Sequence, residues 1–169
     1  GGGSLWVADP SGSSLQPPKT PEGLRITQFD LRNPSAPSSS IRLGRHPTAL
    51  AWSDSTGDLW MSNFNDRSVT RRNAESGAVT TYPHIAVAPG PVVVKDDVVW
   101  VGDWDIPRVV RLPAVGSGRP HFISLPVTRH PAGVTSLAAG ADSIWAADPE
   151  DRALVRIDPK TNQRTRFGF

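Results

Sequence analysis

Cysteine is absent from this 169-residue chain. Disulfides, thiolate catalysis and cysteine-ligated metals go with it, while the compartment stays open. Glutamate is almost missing as well, with only Glu22, Glu75 and Glu150. Long hydrophobic runs are lacking. The longest, such as Val98 to Val101, is far too short for a membrane-crossing helix. No run of basic residues occurs beyond the pair Arg71 and Arg72, and 18 Lys+Arg against 16 Asp+Glu leave a net charge of only +2. That charge pattern is not the footprint of a nucleic-acid binder. There is no nucleophile elbow and no glycine-rich phosphate loop ahead of a helix.

What the chain does have is turn formers and tryptophan. It carries 15 Gly, 17 Pro and six Trp. So many turn residues predict many short strands rather than long helices. The length predicts one domain with a single packed architecture.

Four segments align on tryptophan: "SLWVADP" at Trp6, "DLWMSNF" at Trp60, "VVWVGDW" at Trp100 and "SIWAADP" at Trp145. The tryptophans are 54, 40 and 45 residues apart. Each segment reads apolar, Trp, apolar, small, then Asp or Asn. A second strand begins nine residues past Trp60, Trp100 and Trp145, at Val69, Val109 and Leu154, with a shared arginine at Arg71, Arg111 and Arg156. In the first copy the equivalent "ITQFD" is delayed by an insertion at 10–23. A third strand follows after a turn, in "SSIRLG", "AVTTYP", "HFISLP" and "RTRFGF". A fourth leads into the next tryptophan, in "PTALAWS", "PVVVKDD" and "AGVTSLAAG". Short alternating runs between turn clusters are half-buried strands.

Four strands in about 40–45 residues is the unit of a β-propeller blade. The predicted fold is therefore all-β, a single β-propeller with four visible blades of antiparallel sheet. Their approximate limits are 1–44, 45–86, 87–127 and 128–169. The strands are lettered a to d from the inside out, with tryptophan on b. The first blade lacks strand a. The ring then closes on four blades, continues in a longer polypeptide, or pairs with a second copy through open blade edges. A piece of a longer polypeptide is the expectation.

The repeated tryptophans read as packing between blades. Asp9, Asn63, Asp103 and Asp148 end strand b and read as turn residues, with a cation-binding ring as the functional alternative. The b–c loops "NFNDRS", "DWDIPR" and "DPEDRA" emerge on one face and each supply an arginine: Arg67, Arg108 and Arg152. Trp104, between Asp103 and Asp105, stands outside the repeat position. An aromatic on a polar loop is a candidate anchor for a ligand or partner. Trp52, on strand a, poses the same question. His46 and His130 occupy equivalent "RHP" sites at the start of strand a, near the channel mouth, but no third ligand completes a metal site there. The insertion reads as a recognition loop or as loose decoration. No cofactor is expected.

The stretches "RHPTALAWSDSTGDLWMSN", "RHPAGVTSLAAGADSIWAADPEDRALVRIDPKTNQ" and "VVWVGDWDIPRVVRL" resemble the bacterial YVTN/NHL-type propellers, and among them the virginiamycin B lyase-like repeats. The resemblance covers nearly all of the chain outside the insertion. It implies an extracytoplasmic binding or sensor propeller, of the kind attached to receptor-type serine/threonine kinases. It also implies, for lyase members, a catalytic His and Glu set close together with a divalent metal. Here none of His46, His84, His121 and His130 has a glutamate two residues away. Three functions follow as expectations: a non-catalytic sensor for a small molecule or protein, a metal-dependent lyase, or a structural interaction scaffold.

Overall fold

The alternating runs fold as fifteen strands, and none of the described residues is helical. The computed structural model describes residues 3–8, 25–33, 35–36, 39–42, 46–115, 118–126 and 132–169. The first blade is a three-stranded sheet of β1 (Ser4–Ala8), β2 (Arg25–Asp30) and β3 (Ser39–Arg42). The second holds β4 (Pro47–Ser53), β5 (Asp58–Asn63), β6 (Ser68–Asn73) and β7 (Val79–Tyr82). The third holds β8 (Pro89–Lys95), β9 (Val98–Asp103), β10 (Arg108–Pro113) and β11 (His121–Ser124). The fourth holds β12 (Ser136–Ala139), β13 (Ile144–Asp148), β14 (Ala153–Ile157) and β15 (Arg164–Gly168). All pairs are antiparallel neighbours in chain order, the blade topology expected from the repeat.

Register is set by the hairpins. Asp96 and Asp97 both take positive φ, 48° and 57°, as a two-residue turn between β8 and β9 requires. At the turn before β15, the Asp158 carboxylate accepts the backbone N–H of Thr161 (3.0 Å) and Lys160 (2.7 Å), and those bonds hold its pKa below the ordinary value.

This register pairs the repeated tryptophan with the repeated arginine across b and c: Trp60 with Arg71, Trp100 with Arg111, Trp145 with Arg156. Two of the guanidinium groups lie over their indoles, Arg111 at 4.9 Å from the Trp100 ring centre and Arg71 at 5.9 Å from that of Trp60. The strand-c polar residue also reaches the residue two places before the tryptophan. Arg71 donates to Asp58 (2.8 Å), Arg156 to Ser143 (2.6 Å) and Gln28 to Ser4 (2.9 Å). Val98 holds that place in the third blade and offers no acceptor. Arg111 turns instead to Asn162 of the fourth blade, 2.7 Å away.

Each of the first three blades packs its tryptophan face against the blade that follows. Trp6, Ile26 and Ile41 pack on Leu59 and Met61. Trp60 and Val69 pack on Val99, Val101, Val110 and Leu112. Trp100, Val109 and Ile123 pack on Ile144, Ala146, Val155 and Ile157. Fully burying an aliphatic side chain of this size contributes about 1.5–3 kcal/mol, so these three seams hold the blades together. Trp52 joins the seam between the first two blades, half-buried. Strand β8 lies beside β4 on one side and β12 on the other, which sets the first strands of successive four-stranded blades next to each other. Polar bonds tie that edge, with Thr48 Oγ1 donating to the Pro89 carbonyl (2.8 Å) and Ser62 Oγ to that of Gly90 (2.6 Å).

Candidate functional site

The b–c loops leave strand b on the same side as the segments that lead into strand a. A repeated backbone bond joins the two. Phe64 N–H donates to the His46 carbonyl (3.0 Å), and Trp104 N–H donates to that of Ala88 (2.9 Å). Phe64 and Trp104 are therefore equivalent positions in successive blades. Trp104, read from the sequence as outside the repeat, has a counterpart. The missed signal was available: Phe64 follows Asn63 as Trp104 follows Asp103.

These aromatics form a row across two blades. The Phe64 and Trp104 ring centres are 5.9 Å apart, and those of His46 and Phe64 are 5.7 Å apart, both pairs tilted. His46 takes φ of 58°, an uncommon conformation for a residue with a side chain, immediately before β4. Trp104 is 39% exposed, yet it is firmly seated. A Cβ built on Gly90 would collide with the indole, and one built on Gly133 would collide with the Trp104 carbonyl group. Only glycine permits these approaches. Gly133→Ala is expected to destabilise the fold by about 1–3 kcal/mol through overpacking and to displace Trp104. Urea unfolding together with the Trp104 side-chain signal in indole NMR would check both effects.

Asp103 plays a different part from its neighbour. It is wholly buried, and its carboxylate accepts the N–H groups of Val87 (2.8 Å), Ala88 (3.1 Å) and Asp105 (3.2 Å). It also pairs with Arg108 at 2.9 Å. Its oxygens thus fasten the d–a segment to the b–c loop and face no solvent. Arg108 lies over the Phe122 ring at 5.0 Å, which draws strand d into the same knot. Asp148 repeats part of this, accepting Asp151 N–H at 3.1 Å. Asn63 uses its amide to donate to Ser68 (3.2 Å) and Thr70 (3.0 Å).

The three loop arginines do not occupy one position. Arg67 and Arg152 both have positive φ (51° and 49°), and their carbonyls accept Ile85 N–H and Phe169 N–H at 3.1 and 3.0 Å. In the third blade the carbonyl that accepts Leu125 N–H (2.7 Å) belongs to Pro107. Arg108 stands one residue later, as the first residue of β10, because "DWDIPR" is one residue longer from Asp to Arg. Arg67 and Arg152 are exposed, whereas Arg108 is half-buried. Asp151 is buried and pairs with Arg166 of β15 at 3.0 Å. Asp105 is exposed at the rim next to Trp104.

His130, Asp9 and the insertion at 10–23 lie outside the described residues. Among the described residues, no three His, Asp or Glu groups gather in a way that could hold a metal ion. The face thus offers an apolar, aromatic centre with Asp105 and Arg67 as charged rim groups. That arrangement suits stacking and desolvation of a ligand with a few polar contacts at its border. No protein-family model matches the chain, and no curated protein matches it.

Proposed function

We propose that this chain is a non-catalytic binding module, and that its small-molecule or protein partner sits over Trp104, Phe64 and His46 on the b–c face. The observation that carries the reading is the state of Trp104: well exposed, yet held by Gly90 and Gly133. A rigid aromatic contributes contact area with little entropy left to lose, the profile of a binding anchor. Asp105 and Arg67 are the polar groups to orient the partner. Asp103 and Arg108 act beneath them as positioning residues. The resemblance of the repeats to virginiamycin B lyase-like propellers supports an extracytoplasmic sensor role, with the signal passing to an attached region.

Thermal unfolding against divalent ions, a chelator, sugars, peptidoglycan fragments and small anions tests this, since binding to the native state raises the midpoint. One ligand class is expected to raise it. Trp104→Ala is expected to weaken that binding by about 2 kcal/mol, roughly thirtyfold in Kd, as loss of an anchor does. Binding that is unchanged in Trp104→Ala, Phe64→Ala and Arg67→Ala would discard this face as the site.

A further inference from the structure

The polar groups at the Trp104 row are of two kinds. Asp103, beneath it, is fully engaged by three backbone N–H groups and Arg108. The groups at its border are not engaged. The Asp105 carboxylate, the Arg67 guanidinium and the Asn65 amide are exposed, and the His46 imidazole is half-buried. None of these four side-chain groups makes a hydrogen bond or ion pair among the described residues. Asn65 and Arg67 follow Phe64 in one tight turn, closed by the Arg67 N–H on the Phe64 carbonyl at 3.1 Å. Asp105 follows Trp104 directly. Each aromatic platform thus carries its own polar border.

The mixture of border groups selects the class of ligand. A carboxylate only accepts hydrogen bonds and a guanidinium only donates them, while an amide and a neutral imidazole do both. Arg67 opposes a cation and Asp105 opposes an anion. The matching ligand is neutral, with an apolar face and an edge that both donates and accepts. A hydroxyl group donates and accepts from one atom. A pyranose of gluco configuration, β-linked, sets its hydroxyls around the ring edge and leaves only C–H bonds on its two faces. Such a face stacks on an indole, and the edge hydroxyls reach the border. The second platform adds length. Phe64 and Trp104 come from separate blades with ring centres 5.9 Å apart, so a chain of sugars meets one ring after the other. An equatorial β-1,4 linkage keeps that chain extended and its faces free for stacking.

We infer that this row binds a neutral β-1,4-linked glycan of gluco configuration, with one sugar ring on Trp104 and the next on Phe64. The inference rests on the reading of this face as a binding site and names its ligand class. Asp105 accepts from the hydroxyls of the first sugar, and Arg67 and Asn65 engage those of the second. Gly90 and Gly133 already fix the Trp104 indole, so stacking orders little that is free.

Titration of the chain with glucose, N-acetylglucosamine and their β-1,4-linked tetramers tests this, read from the indole N–H signals in NMR. Trp104→Phe assigns the Trp104 signal. The tetramers are expected to move that signal to saturation, with a Kd about tenfold below that of the single sugar, as a second stacking platform provides. Phe64→Ala is expected to bring the tetramer Kd close to that of the single sugar. Trp104→Ala is expected to abolish binding of both. Tetramethylammonium, inorganic phosphate and a proline-rich peptide are titrated alongside. A Trp104 signal moved by one of these three and by no glycan would overturn the inference and leave the binding face standing. A signal that no probe moves would overturn both. Tetramers that bind no tighter than single sugars, or that ignore Phe64→Ala, would overturn the assignment of sugars to two rings. The wild-type titration decides even where a variant unfolds.

Discussion

Trp100→Ala is expected to cost about 3–5 kcal/mol of unfolding free energy, the range for emptying a buried aromatic site. Trp100 is wholly buried between the third and fourth blades, among Val109, Ile123, Ile144 and Val155. Both sheets are held by hairpin register, so neither can collapse into the space. The substitution also removes the platform under the Arg111 guanidinium. Trp100→Phe is expected to cost much less, since the ring stays and the buried indole N–H, which has no partner, is removed. Trp145→Ala, at the half-buried counterpart, is expected to cost clearly less than Trp100→Ala. Urea unfolding of the three variants at one protein concentration would test the order. Equal losses for Trp100→Ala and Trp145→Ala would contradict the account of the seams. Domains of ordinary stability hold only about 5–15 kcal/mol, so Trp100→Ala approaches the whole margin.

Asp103→Ala is expected to be comparably damaging, at about 3–5 kcal/mol, the cost of breaking a buried ion pair by deleting one partner. Three backbone N–H groups and the Arg108 guanidinium lose their acceptor at once. Arg108 Nε is already buried without a partner, so the side chain has little left to bind. Asp103→Asn keeps the volume and one acceptor oxygen but gives up the charge, and it is expected to fall between wild type and alanine. The loosened knot should also lower affinity at the binding face, because Trp104 and Asp105 are the next two residues. Chemical unfolding measures the first effect, and ligand titration of Asp103→Asn under folding conditions measures the second. An Asp103→Ala protein as stable as wild type would mean that water replaces the carboxylate without penalty.

Much of the architecture was legible because propeller geometry repeats. The Trp-to-Arg offset is the same in the last three blades, and an antiparallel hairpin of fixed loop length must then place the two side chains across from each other. The nine-residue step from tryptophan to strand c likewise located β6, β10 and β14. The "DWDIPR" loop, equal in length to the others but with its arginine one place later, shows the limit. The shared arginine sets Arg108 level with Arg67 and Arg152, whereas strand register gives that place to Pro107. The site was only half legible. Trp104 stood out as an aromatic in a polar loop and His46 as one of a repeated pair, while Phe64 gained meaning only when its ring met both.

Composition and period by themselves determined the fold class, the four repeats and the strand order within a blade. These follow from local alternation and turn chemistry, which act over a few residues. Only the tertiary structure decided which charges pair and which faces remain open. Asp58, Asp103 and Asp151 look alike in the chain, yet each clasps an arginine at a different sequence distance: Arg71, Arg108 and Arg166. Such pairings depend on strand packing rather than on spacing. Trp145 and Trp100 are equivalent as sequence, but one has a following blade among the described residues and the other does not. That difference belongs to neighbours in space, which no local pattern encodes.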